Sequence, residues 1–130
     1  MIIEEALFSH LSAFAGLTAL VGTRIYPMLL PQQATLPAVT FMKVSNPYIR
    51  TFGSTIGAQP RFQFSCWATT YLGAKAVADQ IKAALDFYAG TMGGGVVVRA
   101  GLVENELDDY DPETKRYHVP VDVILWHEGT

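Results

Sequence analysis

Carboxylates are concentrated in one short stretch of the sequence. Six of the twelve acidic residues fall within ten positions: Glu104, Glu106, Asp108, Asp109, Asp111 and Glu113. Alternating carboxylates can form a calcium loop, but such a loop also needs a central glycine and a bidentate glutamate at its twelfth position. Here no glycine follows the alternating acids, and Lys115 and Arg116 come next. The stretch therefore predicts a solvated, acidic hairpin tip and no metal site.

The same carboxylates are poor candidates for general acid catalysis. An acid that protonates a leaving group needs burial to raise its pKa, and the polar residues around this turn offer none. Asp122 differs because it falls within an alternating apolar strand. We expect its side chain to face solvent or to pair with a neighbouring lysine or arginine.

The remaining reactive side chains form no catalytic or cofactor-binding pattern. His10, His118 and His127 lack the spacing of metal ligands on one face. Cys66, the only cysteine, alternates with phenylalanines and is expected to behave as a small hydrophobe. The serines lack a nucleophile-elbow motif, and the run GGGVVV lacks the Lys-Ser/Thr of a phosphate loop. We therefore predict no catalytic residue, no metal, no cofactor and no enzymatic activity.

Composition excludes several classes of partner. The chain has 130 residues, with nine Lys and Arg against twelve Asp and Glu, and its net charge is −3. The basic residues are scattered, which argues against specific nucleic-acid binding. The N-terminus carries acids where a secretory signal carries bases, and no apolar run reaches membrane-spanning length. We expect one cytosolically made domain over residues 1–130, with no membrane partner.

Two helices are predicted from apolar periodicity. In the first, Ile3, Leu7, Leu11 and Phe14 recur at helical spacing. The second spans residues 70–89, with Thr70 as its N-cap and Gly90 as the residue that ends it.

Four strands are predicted from β-branched content and alternation, at residues 38–44, 61–68, 96–107 and 117–126. Pro120 has no N–H to donate, so the last strand should be an edge or carry a bulge at that residue. The order α-ββ-α-ββ predicts an α+β fold. We expect an antiparallel sheet of about four strands, with the second helix packed on one face and the N-terminal helix beside it.

A long loop is predicted at residues 45–60, between the first two strands. It contains two glycines, two prolines and the candidate contact residues Tyr48, Ile49, Arg50, Phe52 and Ile56. Loops of this length without secondary structure are usually functional, and exposed apolar side chains mark interaction surfaces. We interpret the loop as a candidate assembly contact, and the alternative that its side chains fold back on their own domain stays open.

Three segments together resemble the tail-completion protein family of long-tailed bacteriophages. They are LVGTRIYP (20–27) with LP at 36–37, then CWATTYLGAKAVAD (66–79), and YDPETKRYHVPVDVILWH (110–127). The segments come in the family's order, and the similarity covers nearly the whole chain.

The resemblance implies a structural, tail-terminator-like role in a phage or prophage, without catalytic residues. Such proteins are similar to factors that form a hexameric ring at the head-proximal end of the tail tube and meet the head connector. The implied partners are other copies of the chain, the tail tube protein and a head-completion or connector protein. The implied location is the virion, assembled in the bacterial host cytoplasm. In such a ring, the 45–60 loop is a candidate for subunit or tube contact, and the acidic hairpin is a candidate lining of the DNA channel.

Two alternatives stay open at the level of sequence. One is a head-completion, connector or minor tail protein. The other is a small-ligand-binding or enzymatic α+β domain, which a deep pocket containing Asp122, His118 or His127 with a perturbed pKa would favour.

Overall fold

A computed structural model describes residues 2–129 of the chain. Within these residues the helices are α1 (Ile3–Ser12), α2 (Ala15–Val21) and α3 (Tyr71–Leu85). The strands are β1 (Ile25–Pro27), β2 (Ala38–Ser45), β3 (Tyr48–Thr51), β4 (Ser54–Ala58), β5 (Arg61–Ala68), β6 (Gly90–Met92), β7 (Val96–Glu106), β8 (Asp109–Asp111) and β9 (Arg116–Glu128).

These nine strands form one curled, mixed sheet. The prediction of an α+β fold with about four antiparallel strands under a long helix was therefore wrong. Two of the extra strands lie outside the four predicted ones: β1 pairs in parallel with β2, and β6 pairs with β7. Strands of three residues have no readable periodicity. Their backbone hydrogen bonds to a long neighbour stabilise them, and the local sequence does not show that neighbour.

The first long hairpin runs through four of the strands. In the β2–β5 pair, Ser45 faces Arg61. In the β3–β4 pair, Tyr48 faces Ala58, and each of these two residues lies three positions nearer the turn of the hairpin. The pairing of β2 with β5 therefore continues into β3 and β4, so residues 38–68 make one extended hairpin. We call its outer part, residues 46–59, the arm. The prediction of a structureless loop at 45–60 was wrong, because both sides of the loop pair with each other.

The second long hairpin joins β7 and β8 to β9. Glu106 faces Val121 and Asp109 faces His118, so β8 continues the line of β7 after a two-residue break. At this break the N–H of Leu107 donates to the carbonyl of Pro120 at 3.0 Å. The missing N–H of Pro120 faces the interruption, so β9 accommodates a proline without being a sheet edge there.

The core lies between the sheet and the helices, which cover one face. Alternation along β5 places Phe62, Phe64 and Cys66 in this core, as predicted, and β9 contributes its valines. Helix α3 packs against β5, β7 and β9, with α2 against α3. Burial of a phenylalanine side chain contributes roughly 1.5–3 kcal/mol, so the two β5 rings are major contributors.

The helix ends differ from the predicted ones. Thr70 caps α3 as expected, since its Oγ1 accepts from the N–H of Gly73 at 3.0 Å. The helix ends at Leu85 and not at residue 89, because Asp86 is extended and Phe87 has a φ of 58°. Helix α1 buries Ile3, Leu7 and Leu11, but it ends before Phe14. In residues 2–129, none of the helices is both long and apolar enough to cross a membrane.

Candidate assembly surfaces

The side chains that could carry chemistry are dispersed. Among the described residues, no group of three or more His, Cys, Asp or Glu side chains could hold a metal ion. Cys66 is buried, and burial raises the pKa of its thiol, so it stays protonated. His10 tethers α1 to α3, with Nε2 3.1 Å from the carbonyl oxygen of Ala84. His127 is buried near the end of β9. These residues serve packing and tethering.

Asp122 and His118 lie on the sheet face opposite the helices. Asp122 lies 3.5 Å from the guanidinium of Arg61, so it pairs with a neighbouring cation as expected. The His118 ring stacks on Trp67 with centroids 4.1 Å apart, and burial lowers the pKa of its imidazole against the opposing effect of Asp109. The two concavities described below are lined by other residues. They therefore give no support to the ligand-binding alternative.

The predicted acidic hairpin is largely strand, and part of it is bound to α3. The carboxylate of Glu106 lies 2.6 Å from Lys75 Nζ through one oxygen and 2.7 Å from Lys82 Nζ through the other. Lys75 also lies 2.9 Å from Asp108, which accepts a hydrogen bond from the Tyr71 hydroxyl at 2.9 Å. Two of the six acids thus fasten the β7 end to the helix.

These contacts change the titration of every member of the network. Hydrogen bonds from Lys75, and next from Lys82, hold the pKa of Glu106 below its usual value. Hydrogen bonds from Lys75 and Tyr71 do the same to the pKa of Asp108. The hydrogen bond to Glu106 is the largest cause of the raised pKa of both lysines. Sequence reasoning missed this network, although the seven-residue spacing of the lysines places them on one helix face.

The other four acids divide between turn formation and solvent exposure. Asp111 accepts hydrogen bonds from the N–H of Glu113 at 3.0 Å and from the hydroxyl of Thr114 at 2.8 Å, which closes the turn before β9. Glu104, Asp109 and Glu113 are exposed. The surface available to carry negative charge into an assembly is therefore smaller than the six-acid cluster suggests.

The arm exposes most of the residues predicted to make contacts. Tyr48, Arg50, Phe52 and Ile56 are exposed, and Ile49 is half-buried. Phe52 occupies the tight turn between β3 and β4, where Gly53 adopts a φ of 82°, and its side chain is fully exposed. A bulky aromatic side chain at the end of a stiff hairpin is typical of a docking element and gains nothing from its own domain.

Each side of the arm presents different chemistry. Ile49 and Ile56 share an open concavity of about 500 Å³ with Trp126, Arg99 and Glu128 on the uncovered face of the sheet. Elsewhere on the arm, the Arg50 guanidinium lies 5.4 Å from the centre of the Tyr48 ring, a cation–π contact. Arg50 is the only charged residue between positions 45 and 60. The arm is therefore apolar and aromatic with a single positive charge.

A second concavity lies where α1 meets β1, β2 and β5. We call it the groove, and its lining includes Glu4, Phe8, Met28, Phe41, Lys43 and Phe62. Its volume is about 760 Å³, and most of the lining side chains are apolar. The ammonium of Lys43 lies 3.2 Å from Glu4 and 5.9 Å from the Phe62 ring centre. One weak feature of the sequence points to the groove: Phe8 is a large apolar residue of α1 that lies outside the buried stripe of Ile3, Leu7 and Leu11.

Solved structures include chains with the same fold. One belongs to the virion of a native gene transfer agent (GTA) particle and superimposes with a TM-score of 0.82 at 20% sequence identity. The match covers 98% of this chain and 95% of that chain. The superposition establishes a common fold, and at 20% identity it establishes only that. No curated protein matches the chain.

The match to a protein family is more specific than the common fold. The family described as Tail completion protein gp17 matches residues 5–128. This range includes all three sequence segments that carried the resemblance, both long hairpins and all of α3. Because the match extends over nearly the whole chain, the protein belongs to the bacteriophage tail completion protein gp17 family, which confirms the resemblance read from its sequence.

Proposed function

We propose that the chain is a structural virion subunit, without enzymatic activity, that forms a hexameric ring at the head-proximal end of a phage or prophage tail tube. Other copies of itself, the tube protein and a head-completion or connector protein are its partners. Synthesis takes place in the bacterial host cytoplasm. The ring ends the tube and offers the opposite surface to the head connector.

The family match over residues 5–128 carries this proposal. The matched structure adds support, because its chain is part of a gene transfer agent virion. The surface chemistry is consistent with assembly, since the arm exposes Phe52, the groove exposes Phe8 and Met28, and both concavities are open.

The role sets a physical requirement on the ring. A terminating subunit binds the tube end through one ring face but does not present that same surface again for another layer, so its two faces differ. Lateral contacts in a ring join two different patches, and they close when the rotation per subunit divides a full turn. The arm is the proposed contact to a neighbouring subunit or to the tube.

Light scattering and electron microscopy of the purified chain, alone and with tail tubes of the same phage or prophage, test the proposal. We expect hexamer-sized mass bound to the tubes, density at one tube end only, and no elongation of capped tubes when tube protein is added. A chain that leaves both ends bare, with elongation unchanged, contradicts the proposed function.

A separate experiment tests the acidic hairpin as a lining of the DNA channel. The double variant Glu104→Gln, Glu113→Gln removes two exposed charges and should leave the fold and ring intact. We expect altered DNA passage in particles assembled from it, measured as the rate of genome release. The control Asp79→Asn removes an exposed acid on α3 and should leave the rate unchanged. Unchanged genome release and infectivity in the double variant exclude the channel role.

A further inference from the structure

The arm and the groove have complementary apolar surfaces. Phe52 protrudes from the arm with its whole side chain in solvent, while Phe8 and Met28 in the groove are 42% and 60% exposed. A closed cavity of roughly 150 Å³ accommodates benzene, so an open groove of about 760 Å³ has room for the Phe52 ring and its neighbours. Burying an aromatic ring against apolar side chains is favourable, and both partner surfaces are unpaired within one chain.

Their charges are also complementary. The arm carries one positive charge, Arg50. The groove is bordered by Glu4, Glu5 and Lys43, and these leave one negative charge in excess. Lys43 is paired with Glu4, so the exposed Glu5 carboxylate, which accepts one hydrogen bond from the Ile2 N–H at 3.3 Å and has no cationic partner within residues 2–129, is the available partner for an incoming guanidinium. The concavity beside Trp126 lacks this complementarity, because its Arg99 and Glu128 neutralise each other through a salt bridge.

An arm cannot reach the groove of its own chain. The groove is lined by Phe41 and Lys43 on β2 and by Phe62 on β5, which form the base from which the arm extends. Phe52 lies nine positions after Lys43, roughly 30 Å away at about 3.3 Å per strand residue. Because the pairing continues along the arm, the tip points away from this base. Any contact between the two must join different copies.

We propose that the arm of one copy binds the groove of the next copy, with Phe52 on the apolar lining and Arg50 facing Glu5. The inference rests on the proposed ring and names its lateral contact. A projecting apolar group and a pocket elsewhere on the same molecule make a heterologous contact. Repeating that contact builds a closed ring when the rotation from each copy to the next divides a full turn. In our proposal the end of a tail tube favours this closed ring over an open chain of copies.

Cross-linking between two differently tagged chains tests the contact directly. One chain carries Phe52→Cys and the other Phe8→Cys, and a short bis-maleimide joins them after mixing. Cys66 is buried and protonated, so the native thiol contributes little background. Leu102→Cys is the matched control, because Leu102 is also 42% exposed but lies on β7, outside the groove.

We expect mixed-tag dimers from the Phe52→Cys and Phe8→Cys pair and none from the Leu102→Cys pair. If rings cap tubes but Phe52→Cys links only to Leu102→Cys or to itself, the inferred contact is wrong and the proposed function stands. If Phe52→Cys links to Phe8→Cys without any binding to tubes, the contact stands and the terminator function fails. No cross-link to the groove under either condition overturns the contact.

Charge reversal provides a second measurement that does not depend on cysteines. Arg50→Glu should weaken self-association by roughly 10-fold or more, since it places like charges together in a desolvated contact. Glu5→Lys introduced into the same chain should restore association, while Glu5→Lys with native Arg50 should weaken it. Equal weakening in the double variant overturns the pairing of Arg50 with Glu5.

Discussion

At the scale of single residues, Gly101 shows why one position on β7 tolerates no side chain. A Cβ there would lie 2.2 Å from the carbonyl oxygen of Leu85. The backbone cannot move away, because Gly101 accepts from Phe87 N–H at 2.7 Å and donates to the Tyr88 carbonyl at 2.9 Å. The end of α3 is therefore bound to the sheet through a glycine.

Gly101→Ala should destabilise the protein by about 1–3 kcal/mol, the typical cost of forcing extra atoms into a packed site. Urea denaturation of the purified variant measures this change. Gly16→Ala, in helix α2, is the control, since its Cβ would meet side chains and not backbone: the flexible end of Gln80, 2.1 Å from Oε1, and the Phe14 ring edge at 3.3 Å. Gln80 can rotate away and alanine favours the helix by about 0.5–1 kcal/mol, so Gly16→Ala should be neutral or stabilising. Equal losses in both variants contradict this explanation.

At the scale of elements, the joint between β7 and α3 depends on an ion network that only a tertiary contact assembles. Glu106 is 24% exposed and binds both Lys75 and Lys82. Its pKa lies below the usual value, so its stabilising contribution is complete above about pH 4.5 and is lost as pH falls through the lowered folded-state value. The pKa of both lysines is raised above the ordinary value of 10.5, so they stay charged in the folded protein at higher pH. Their contribution to stability is therefore complete below about pH 10.5 and is lost only as pH rises through the raised values.

Glu106→Gln should lower the free energy of unfolding by about 1.5–3 kcal/mol at pH 7, the range of a hydrogen bond to a charged group. Below about pH 4.5 the difference from the native chain should shrink, because Glu106 is protonated first in the unfolded chain and then, at lower pH, in the folded one. Thermal denaturation across pH 3–8 measures this. Glu104→Gln, on the same strand but exposed, should show little change at any pH. A Glu106→Gln difference that stays constant down to pH 3 contradicts the ion network.

At the scale of the whole molecule, we expect the arm to be required for assembly and not for folding. Tyr48 and Ala58 face each other across the hairpin, so a two-residue Asn-Gly turn can replace residues 49–57 without breaking the register. The shortened chain should retain the core, because the buried residues of the replaced segment are few. Its melting temperature should fall only slightly, while ring formation should be lost.

Mixing the shortened chain with native chain gives a sharper prediction. A chain without an arm keeps its groove, accepts a neighbour's arm and offers none, so it should block ring closure when present in small proportion. Tail-capping activity should therefore fall faster than the fraction of native chain. If arms instead contact arms, shortened chains are excluded and activity falls only in proportion to dilution. Electron microscopy of capped tube ends distinguishes the two outcomes.

The sequence by itself determined the features that depend on local periodicity. Alternation in residues 61–68 predicted β5 and the inward Phe62 and Phe64, and the apolar stripe after Thr70 predicted α3. The order of three family-like segments predicted the family, because a family's pattern is distributed along the chain and needs no coordinates.

Only the tertiary structure decided the nine-stranded sheet, the arm and the role of the acids. Strands such as β1 and β4 exist because a longer strand, β2 or β9, lies beside them, and pairing partners distant in sequence leave no periodic signal. In the same way, the run of acids around Glu106 predicts a solvated acidic tip, whereas in the folded chain two lysines of α3 pair with Glu106. Local patterns follow from backbone and side-chain geometry, whereas neighbours in space depend on how the whole chain packs.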